Sequence, residues 1–202
     1  MNTKTKTIGI ISLAAAALLL LSTSAFAADT AAWTTLSVSG TVANNLTLSV
    51  EEELRFDDVS DPSLARQHTD LSVGYDAGLL SAHVGYRNTS TGEHRPWVGL
   101  SMNLLSGDFD LDIANRMELR DWDTLRGRSK LSATTNVVGL APWISDEVFV
   151  DESGLSGNRA SVGVAKSVTD AVGVSAYYLL DSAFGDTTTH SHVMGLGISV
   201  SL

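Results

Sequence analysis

The chain has 202 residues, no cysteine and a formal net charge of −10. Its length fits one domain, and its acidity argues against a protein that binds nucleic acid or anionic membrane surfaces. The lack of cysteine excludes disulfides and thiolate metal sites, so stability must come from backbone hydrogen bonding and packing.

Residues 1–27 are predicted to be a signal peptide. Lys4 and Lys6 precede an apolar run at 8–21, and an Ala-Phe-Ala sequence ending at Ala27 fits signal peptidase. The run is shorter than the roughly 20 residues of a transmembrane helix. We expect cleavage after Ala27, and loss of the two lysines changes the net charge from −10 to −12.

From residue 33 to the end, the chain alternates apolar and polar residues with the period of a β-strand. Within 46–56, for example, Leu48 and Val50 alternate with Ser49 and Glu51. The pattern predicts strands at 33–42, 46–56, 69–76, 79–88, 95–105, 108–121, 125–137, 143–151, 158–166, 171–181 and 189–202. No remaining run is apolar enough to cross a bilayer as a helix, so an integral mature protein must be a barrel.

The connections between these segments favour a meander of hairpins. Short ones contain Asn or Gly, which supply the positive φ of tight turns, and they alternate with longer ones at 57–68, 88–94, 121–125, 152–157 and 182–188. Outer-membrane barrels have short periplasmic turns and longer outer loops. The predicted fold is therefore all-β, an antiparallel up-and-down transmembrane β-barrel of ten to twelve strands behind a cleaved signal peptide.

The number of strands stays open because of the first segment. Segments 46–56 to 189–202 make ten strands that close antiparallel, which assigns 46–202 to the barrel and 28–45 to an N-terminal segment. Segment 33–42 would be an eleventh strand. It is either an extension outside the wall, or one of twelve strands if another forms near 28–33.

Alternation alone does not separate a membrane barrel from a soluble periplasmic β-sandwich or lipocalin-like binder. Aromatics at strand ends favour the barrel: Phe56 and Tyr86 precede long loops, and Tyr75 and Phe109 flank short turns, as in two interfacial girdles. Glu52 and Asp146 interrupt the apolar faces, where a carboxylate facing lipid is costly unless it lies near an interface.

Short motifs extend this pattern over most of the mature chain. They are the run at 46–56, Arg116-x-Glu118-x-Arg120 with Arg126-x-Arg128, Pro142-Trp143 followed by Glu147, Asn158-Arg159, and His192-Val193. Their order resembles domain of unknown function 2490, a family of uncharacterised bacterial proteins. The resemblance implies an outer-membrane barrel without an assigned activity. Such barrels often end in an aromatic residue, whereas this chain ends in Leu202.

Charged residues on the polar faces of the central strands are the candidate site, because a barrel directs them into one lumen. They are Glu51, Glu53, Arg55, Arg116, Glu118, Arg120, Arg126, Arg128, Glu147 and Arg159. They indicate either a charged constriction of a narrow solute pore or a paired network that fills the interior, as side chains do in small barrels.

Other polar patterns indicate no catalytic, cofactor or metal site. Asp108, Asp110 and Asp112 lack the Gly and distant Glu of a calcium loop. In His190-Ser191-His192, neighbouring side chains point to opposite strand faces, so a lipid-modifying enzyme remains an alternative without a visible nucleophile and base on one outward face. The expected partners are outer-membrane lipid and the barrel assembly machinery, the protein is expected to be a monomer, and the expected location is the cell outer membrane or, alternatively, the periplasm.

Overall fold

The computed structural model describes residues 30–59 and 63–202, so the predicted signal peptide lies outside the described residues. No helix in the described part of the chain is long and apolar enough to cross a membrane. The strands are β1 (Thr30–Ala43), β2 (Leu46–Phe56), β3 (Leu64–Asp76), β4 (Leu80–Thr89), β5 (His94–Leu105), β6 (Phe109–Arg120), β7 (Thr124–Thr135), β8 (Ala141–Asp151), β9 (Gly154–Thr169), β10 (Val172–Ala183) and β11 (Thr189–Ser201).

These strands form one closed barrel in which each strand pairs with its sequence neighbours. Consecutive strands are antiparallel, whereas β1 and β11 close the wall in parallel, with Thr30 opposite His192 and Ser39 opposite Ser201. The predicted all-β up-and-down barrel is confirmed, and the strand count falls within the predicted range. Antiparallel closure needs an even number of strands, whereas parallel closure accommodates an odd number. The predicted segment 33–42 is therefore a strand of the wall, as part of β1.

Because β1 and β11 are parallel, the first and last residues of the barrel lie at opposite ends of the wall. We call the end where β1 and β11 begin the upper end; it carries the β2–β3, β4–β5, β6–β7, β8–β9 and β10–β11 connections. The opposite, lower end carries the other connections and the C-terminus. The N-terminal end of the described barrel therefore lies at the upper end, and the C-terminus lies at the lower end.

The expected alternation of loop lengths is only partly present. The β8–β9 connection contains just residues 152–153, because β9 already begins at Gly154, whose φ of 109° permits a tight turn. At the lower end, the β7–β8 connection is longer, at 136–140. The turn residues were predicted better, since Asn45 has a φ of 62° and Gly78 a φ of 91°.

Most aliphatic side chains of the barrel point outward. Val98 is 58% exposed and Ile144 is 59% exposed, whereas the carboxylate side chain of Glu118 is 0% exposed. This distribution is the reverse of a soluble domain, in which Glu is almost never fully buried and aliphatic side chains fill the core. The strand alternation therefore directs apolar residues to the outer face and charged residues to the lumen.

Candidate functional site

The interior of the barrel has two parts. Its upper half is filled by a network of charged side chains, which we call the lumen network. Its lower half contains a cavity whose lining includes many serines and glycines. Each part follows from the residues that the inward strand positions carry.

Glu118 on β6 is the most buried member of the lumen network. Its carboxylate contacts Arg116 at 2.8 Å, Arg126 at 2.6 Å and Arg128 at 2.9 Å. The arginines come from the same strand and from β7, where Arg126 lies directly opposite Glu118 in the register. A carboxylate removed from water is tolerated only when it is paired and hydrogen-bonded, and Glu118 meets both conditions.

From Arg128 the network continues across the next strands. Arg128 contacts Glu147 on β8 at 2.6 Å, and Glu147 lies 3.9 Å from Arg159 on β9. Arg159 in turn contacts Asp181 on β10 at 3.1 Å. Charges of opposite sign therefore alternate around this side of the lumen, and each is neutralised by a neighbour.

Asp70 on β3 joins side chains from the three strands that follow it in the wall. It accepts hydrogen bonds from Arg87 at 2.8 Å, from the indole Nε1 of Trp97 at 2.9 Å and from Arg116 at 3.0 Å. Arg116 belongs to β6, three strands from β3, and its guanidinium lies 3.9 Å from the centre of the Trp97 ring. This contact passes over β4 and β5 on the inside of the barrel, so the network joins side chains from β3 to β6.

Trp33 on β1 lies between two arginines of the network. The guanidinium of Arg55 lies 3.7 Å from its ring centre, and that of Arg159 lies 5.0 Å away. Arg55 is paired with Glu53 at 2.6 Å, and Glu53 lies 3.1 Å from the buried imidazole of His68. An aromatic ring between guanidinium groups separates like charges by favourable cation–π contacts.

Glu93 caps the network at the upper end, in the β4–β5 connection. Its carboxylate accepts hydrogen bonds from Arg95 and from Arg120, the latter at 2.6 Å. Burial would raise the pKa of Glu93, but the two guanidinium groups outweigh burial and hold this pKa at about 2, below its ordinary value of 4.5. Glu93 is therefore charged at neutral pH and joins β5 to β6 above the lumen.

The structure directs all ten predicted charged residues to the inside of the barrel. Nine belong to the contacts above, and Glu51 lies lower, 3.8 Å from Arg87 and beside the cavity. The sequence reasoning missed further members of the network, although strand alternation already placed several of them on inward faces: His68, Asp70, Arg87, Glu93, Arg95 and Asp181. All arginines of the chain except Arg66 belong to the network.

Below the network lies a cavity of about 560 Å³, which we call the lower cavity. Its upper end is lined by Arg128, Glu147 and Arg159 of the network, and its lining reaches Asn136 and Gly139 in a lower-end turn. The cavity therefore runs from the lumen network to the lower end of the barrel.

Glycines on neighbouring strands make room for the aromatic side chains of this cavity. A Cβ on Gly163 would lie 2.6 Å from the Trp143 ring, and one on Gly195 would lie 1.9 Å from the Tyr177 ring. Both distances are below contact, so each ring lies against the backbone of the next strand. The rings consequently line the wall and leave the centre of the lower lumen open.

The acidic triplet and the histidine pair are held by local partners. Asp112 accepts a hydrogen bond from Asn103 at 2.9 Å, and Asp110 accepts one from the amide of Gly107 at 3.2 Å. The described residues contain no group of three or more side chains that could hold a metal ion. Tyr178 and His192 are hydrogen-bonded to each other on the outer face.

A serine and a histidine do meet on the outer face, which the strand argument did not find. His190 contacts Ser182 of the neighbouring strand at 2.9 Å, and the two residues are register partners. The serine in reach of His190 is thus Ser182, whereas the sequence reasoning considered only Ser191. Ser182 is only 6% exposed, and its position within paired strands commits the nearby backbone amides to the sheet.

The two carboxylates that interrupt the apolar outer face have polar neighbours. Glu52 accepts a hydrogen bond from Thr69 at 2.7 Å, and Asp146 accepts one from Asn158 at 2.7 Å. Each pair joins adjacent strands and reduces the cost of placing a carboxylate on an apolar surface.

Comparisons with known proteins give one family. The profile of "Protein of unknown function (DUF2490)" matches residues 30–192. No curated protein matches the sequence. Among solved structures, the chain is similar to an anion-selective porin from Comamonas acidovorans, with 16% identity over 77% of this chain and a TM-score of 0.38. The similarity covers 57% of the porin, so this chain spans little more than half the length of that protein.

Proposed function

The chain belongs to the DUF2490 family of proteins of unknown function, and we propose that it is an outer-membrane β-barrel whose lumen network closes it to diffusing solutes. In this proposal the protein is a structural or ligand-binding barrel and not an open pore. The main support for this proposal is the position of Glu118. It is fully buried among three arginines inside a wall whose aliphatic side chains face outward.

The outer surface supports a membrane location. Large exposed apolar patches on a monomer mark contact with a partner or with lipid, and here large apolar side chains are exposed on every strand from β2 to β10. The exposed Tyr75 and Phe109 lie at the lower end, and Tyr86 with its hydrogen-bonded partner His94 lies towards the upper end. Amphipathic rings at both ends fit two membrane–water interfaces.

We orient the barrel with its lower end towards the periplasm. Turns on that side are short in most bacterial barrels, and the lower β1–β2, β3–β4 and β9–β10 turns have two or three residues. The upper end would then face the cell exterior, with acidic connections that include Asp58, Asp121 and Asp186. The lumen network would form the outer closure, and the lower cavity would face the periplasm.

The network supports closure better than conduction. Conduction through a charged constriction requires a continuous water-filled path. Here carboxylates from β2, β3, β6 and β8 each contact at least one guanidinium, and these paired side chains occupy the upper part of the lumen. Paired charges that fill a narrow lumen act as packing, as side chains do in other small barrels.

A lipid-modifying enzyme is the alternative function. It is suggested by the contact between Ser182 and His190 on the outer face. A serine nucleophile also needs access to substrate and donors for the developing oxyanion. Ser182 is almost fully buried, and its neighbours pair along both sides of β10. We therefore favour a structural cross-strand pair, which Ser182→Ala tests: this variant should leave any lipase activity of the purified protein unchanged.

Two measurements test the main proposal. The protein should require detergent for extraction and should migrate faster on a denaturing gel before heating than after it, as a closed barrel does. In planar bilayers the wild-type protein should give no stable conductance steps. Extraction without detergent would contradict the membrane location, whereas regular conductance steps would contradict the closed lumen and leave the membrane location intact.

A further inference from the structure

We propose that the outer face of β6 to β8 is the interface of a homodimer, in which two copies of the barrel pack side by side in the membrane about a two-fold axis in front of β7. This inference rests on the proposed membrane location and departs from the monomer expected from the sequence. It follows from polar side chains that face lipid without a partner, and from a groove beside them.

The unpaired donor of this face is the side-chain amide of Asn115, which lies midway along β6. Its register partner on β7 is Ser129. Both point outward, since they alternate with Arg116 and Arg128 of the lumen network. Neither side chain forms a hydrogen bond within the described residues. An amide that faces hydrocarbon without a hydrogen bond is costly, so a protein surface that supplies an acceptor is favoured there.

The matching acceptor is Asp146, in the middle of β8. Its Oδ1 accepts a hydrogen bond from Asn158 at 2.7 Å, whereas its Oδ2 accepts none within the described part of the chain. Asp146 is exposed on the outer face, so this second oxygen also faces hydrocarbon. Ionisable groups at membrane depth usually face protein or water and are paired there. A further donor from a neighbouring barrel would meet this need.

The register of the wall gives the relative heights of these two groups. Gly127 lies three residues from the upper end of β7 but pairs with Val150, one residue from the upper end of β8. A row of register partners therefore climbs from β7 to β8, by roughly 3 Å per strand for strands about 4.8 Å apart that tilt by roughly 40°. The row from Asn115 reaches β8 two residues above Asp146. This two-residue step down β8 offsets the climb over two strands, so Asp146 lies at about the height of Asn115.

A two-fold axis along the membrane normal brings donor and acceptor together. Half a turn about an axis in front of β7 keeps every height and exchanges the two sides of β7. Asn115 on one side of β7 then faces Asp146 of the partner subunit, and the same contact occurs twice in the dimer, as in isologous interfaces. The face is thus complementary to a second copy of itself.

A groove beside this axis allows the two walls to approach. It has a volume of about 520 Å³ and is lined by outward side chains that include Leu100, Met117 and Val148. Gly127 also lines it and leaves an outward position without a side chain; a Cβ there would lie 3.5 Å from the Met117 sulfur, an ordinary contact distance. Small residues at interfaces within membranes permit close packing.

Other polar groups of the outer wall do not form such a set. Glu52 accepts a hydrogen bond from Thr69 at 2.7 Å, and its other oxygen is buried, so a neighbouring barrel cannot reach it. Gln67 and Asn88 lie close to the upper ends of β3 and β4, where water reaches the membrane surface. Among the described residues, an unpaired amide and a free carboxylate oxygen therefore occur together at mid-height on β6 to β8.

Cross-linking of single cysteines tests the interface in the native outer membrane, because the chain has no cysteine of its own. Ser129→Cys places a thiol beside the axis. Val50→Cys, on β2 across the barrel, is the matched control, since Val50 is 45% exposed and also lies near the middle of its strand. A short bis-maleimide should join Ser129→Cys into a species of twice the monomer mass and leave Val50→Cys monomeric.

The hydrogen bonds are tested by energy transfer between copies in lipid vesicles, with dyes on Asp186→Cys in the exposed upper connection. Transfer should rise with the ratio of protein to lipid. Asn115→Leu should raise the dissociation constant of the dimer about tenfold, because two hydrogen bonds between the copies are lost. Asn88→Leu, which changes an outward amide outside the groove, should leave the dissociation constant unchanged. Heat-dependent migration verifies that each variant is folded.

Several outcomes would overturn the inference. They are equal cross-linking of the two cysteine variants, cross-linking of Ser129→Cys only to a different protein, and an association that Asn115→Leu does not weaken. A lipid that remains bound to monomeric protein in native mass spectrometry, and is lost in Asn115→Leu, would make lipid the occupant of the groove and also overturn it. A monomer that still requires detergent refutes the dimer alone, whereas extraction without detergent refutes the membrane location.

Discussion

Arg128 bridges two carboxylates that lie on different strands. Its Nη1 is 2.9 Å from Glu118 Oε1, and its Nη2 is 2.6 Å from Glu147 Oε1. Arg128 is on β7 and its two partners are on β6 and β8, so one guanidinium ties three adjacent strands together inside the lumen. The planar fork of arginine suits this role, because its donors can serve two acceptors at once.

Glu118→Gln should lower the free energy of unfolding more than any other replacement of one charged residue of the lumen network by a neutral one. The change keeps the shape but leaves three arginines without their shared carboxylate, and breaking a buried ion pair costs about 3–5 kcal/mol. Urea unfolding of the protein in detergent micelles, followed by tryptophan fluorescence, measures this cost.

Glu152→Gln is the matched control for this measurement. Glu152 is exposed in the β8–β9 connection, so its substitution should change the free energy of unfolding by less than about 0.5 kcal/mol. If both variants unfold at the same urea concentration, the lumen network does not stabilise the barrel in the way described.

Glu93→Gln should lose stability in a way that depends on pH. The pKa of Glu93 is lowered to about 2 in the folded barrel from an ordinary value of 4.5. A lowered pKa of an acid stabilises the fold fully above the unfolded value, and this contribution is lost as the pH falls from 4.5 towards 2. The wild type should therefore be more stable than the variant at pH 7, and the difference should shrink between pH 5 and pH 2.

The other carboxylates titrate in both proteins. The difference in the free energy of unfolding between wild type and variant therefore reports on Glu93 alone. At pH 7 we expect it to be about 1–3 kcal/mol, the cost of leaving a donor of the buried Arg95 without an acceptor. A difference that stays constant across this pH range would show that Glu93 is not held ionised by the two arginines.

Gly195→Ala should destabilise the wall through a clash with Tyr177. A Cβ at position 195 would lie 1.9 Å from the Tyr177 ring, so the ring must leave its place against β11. Overpacking of this kind costs about 1–3 kcal/mol. Gly185→Ala, where nothing lies within 4 Å of the new Cβ, is the matched control.

A double variant identifies the cause. If the clash with the ring is responsible, Gly195→Ala should cost much less in a Tyr177→Ala background than in the wild type, because interacting sites are not additive. Additive effects of the two substitutions would place the cost in the backbone of β11 and contradict the packing argument.

The strand pattern and the inward charges could be predicted from the sequence because both follow from a period of two. Each of the eleven predicted segments corresponds to one of the strands, and β2 was predicted with its observed bounds. The same period directed Glu118 and Arg128 into one lumen. The period of two does not predict that Glu118 contacts three arginines, because these contacts depend on the register between β6 and β7.

Features that depend on the closing of the barrel were harder to predict. Parallel pairing of β1 with β11 joins strands from opposite ends of the chain, and no local signal in Thr30–Ala43 distinguishes it from an extension. The Ser182–His190 contact is likewise a cross-strand pair, invisible to reasoning within β11. The lower cavity depends on glycines such as Gly163, which lie one strand away from the rings that they accommodate.

The orientation of the barrel gives the last prediction, which the absence of cysteine makes simple to test. Asp186→Cys places a thiol in the exposed β10–β11 connection at the upper end, and Asp170→Cys places one in the exposed β9–β10 turn at the lower end. A membrane-impermeant maleimide added to intact cells should label Asp186→Cys and not Asp170→Cys. After the outer membrane is made permeable, both should react.

The same cells test the consequence of parallel closure for the N-terminus. Since β1 begins at the upper end, cleavage after Ala27 would leave Ala28 as the new N-terminus, two residues before Thr30 and, in the proposed orientation, close to the cell surface. Mass spectrometry of the purified protein should show the loss of residues 1–27, and a short epitope inserted before Thr30 should bind antibody on intact cells. Labelling of Asp170→Cys together with a hidden epitope would reverse the orientation. An epitope hidden while Asp186→Cys is labelled would contradict the parallel pairing of β1 with β11.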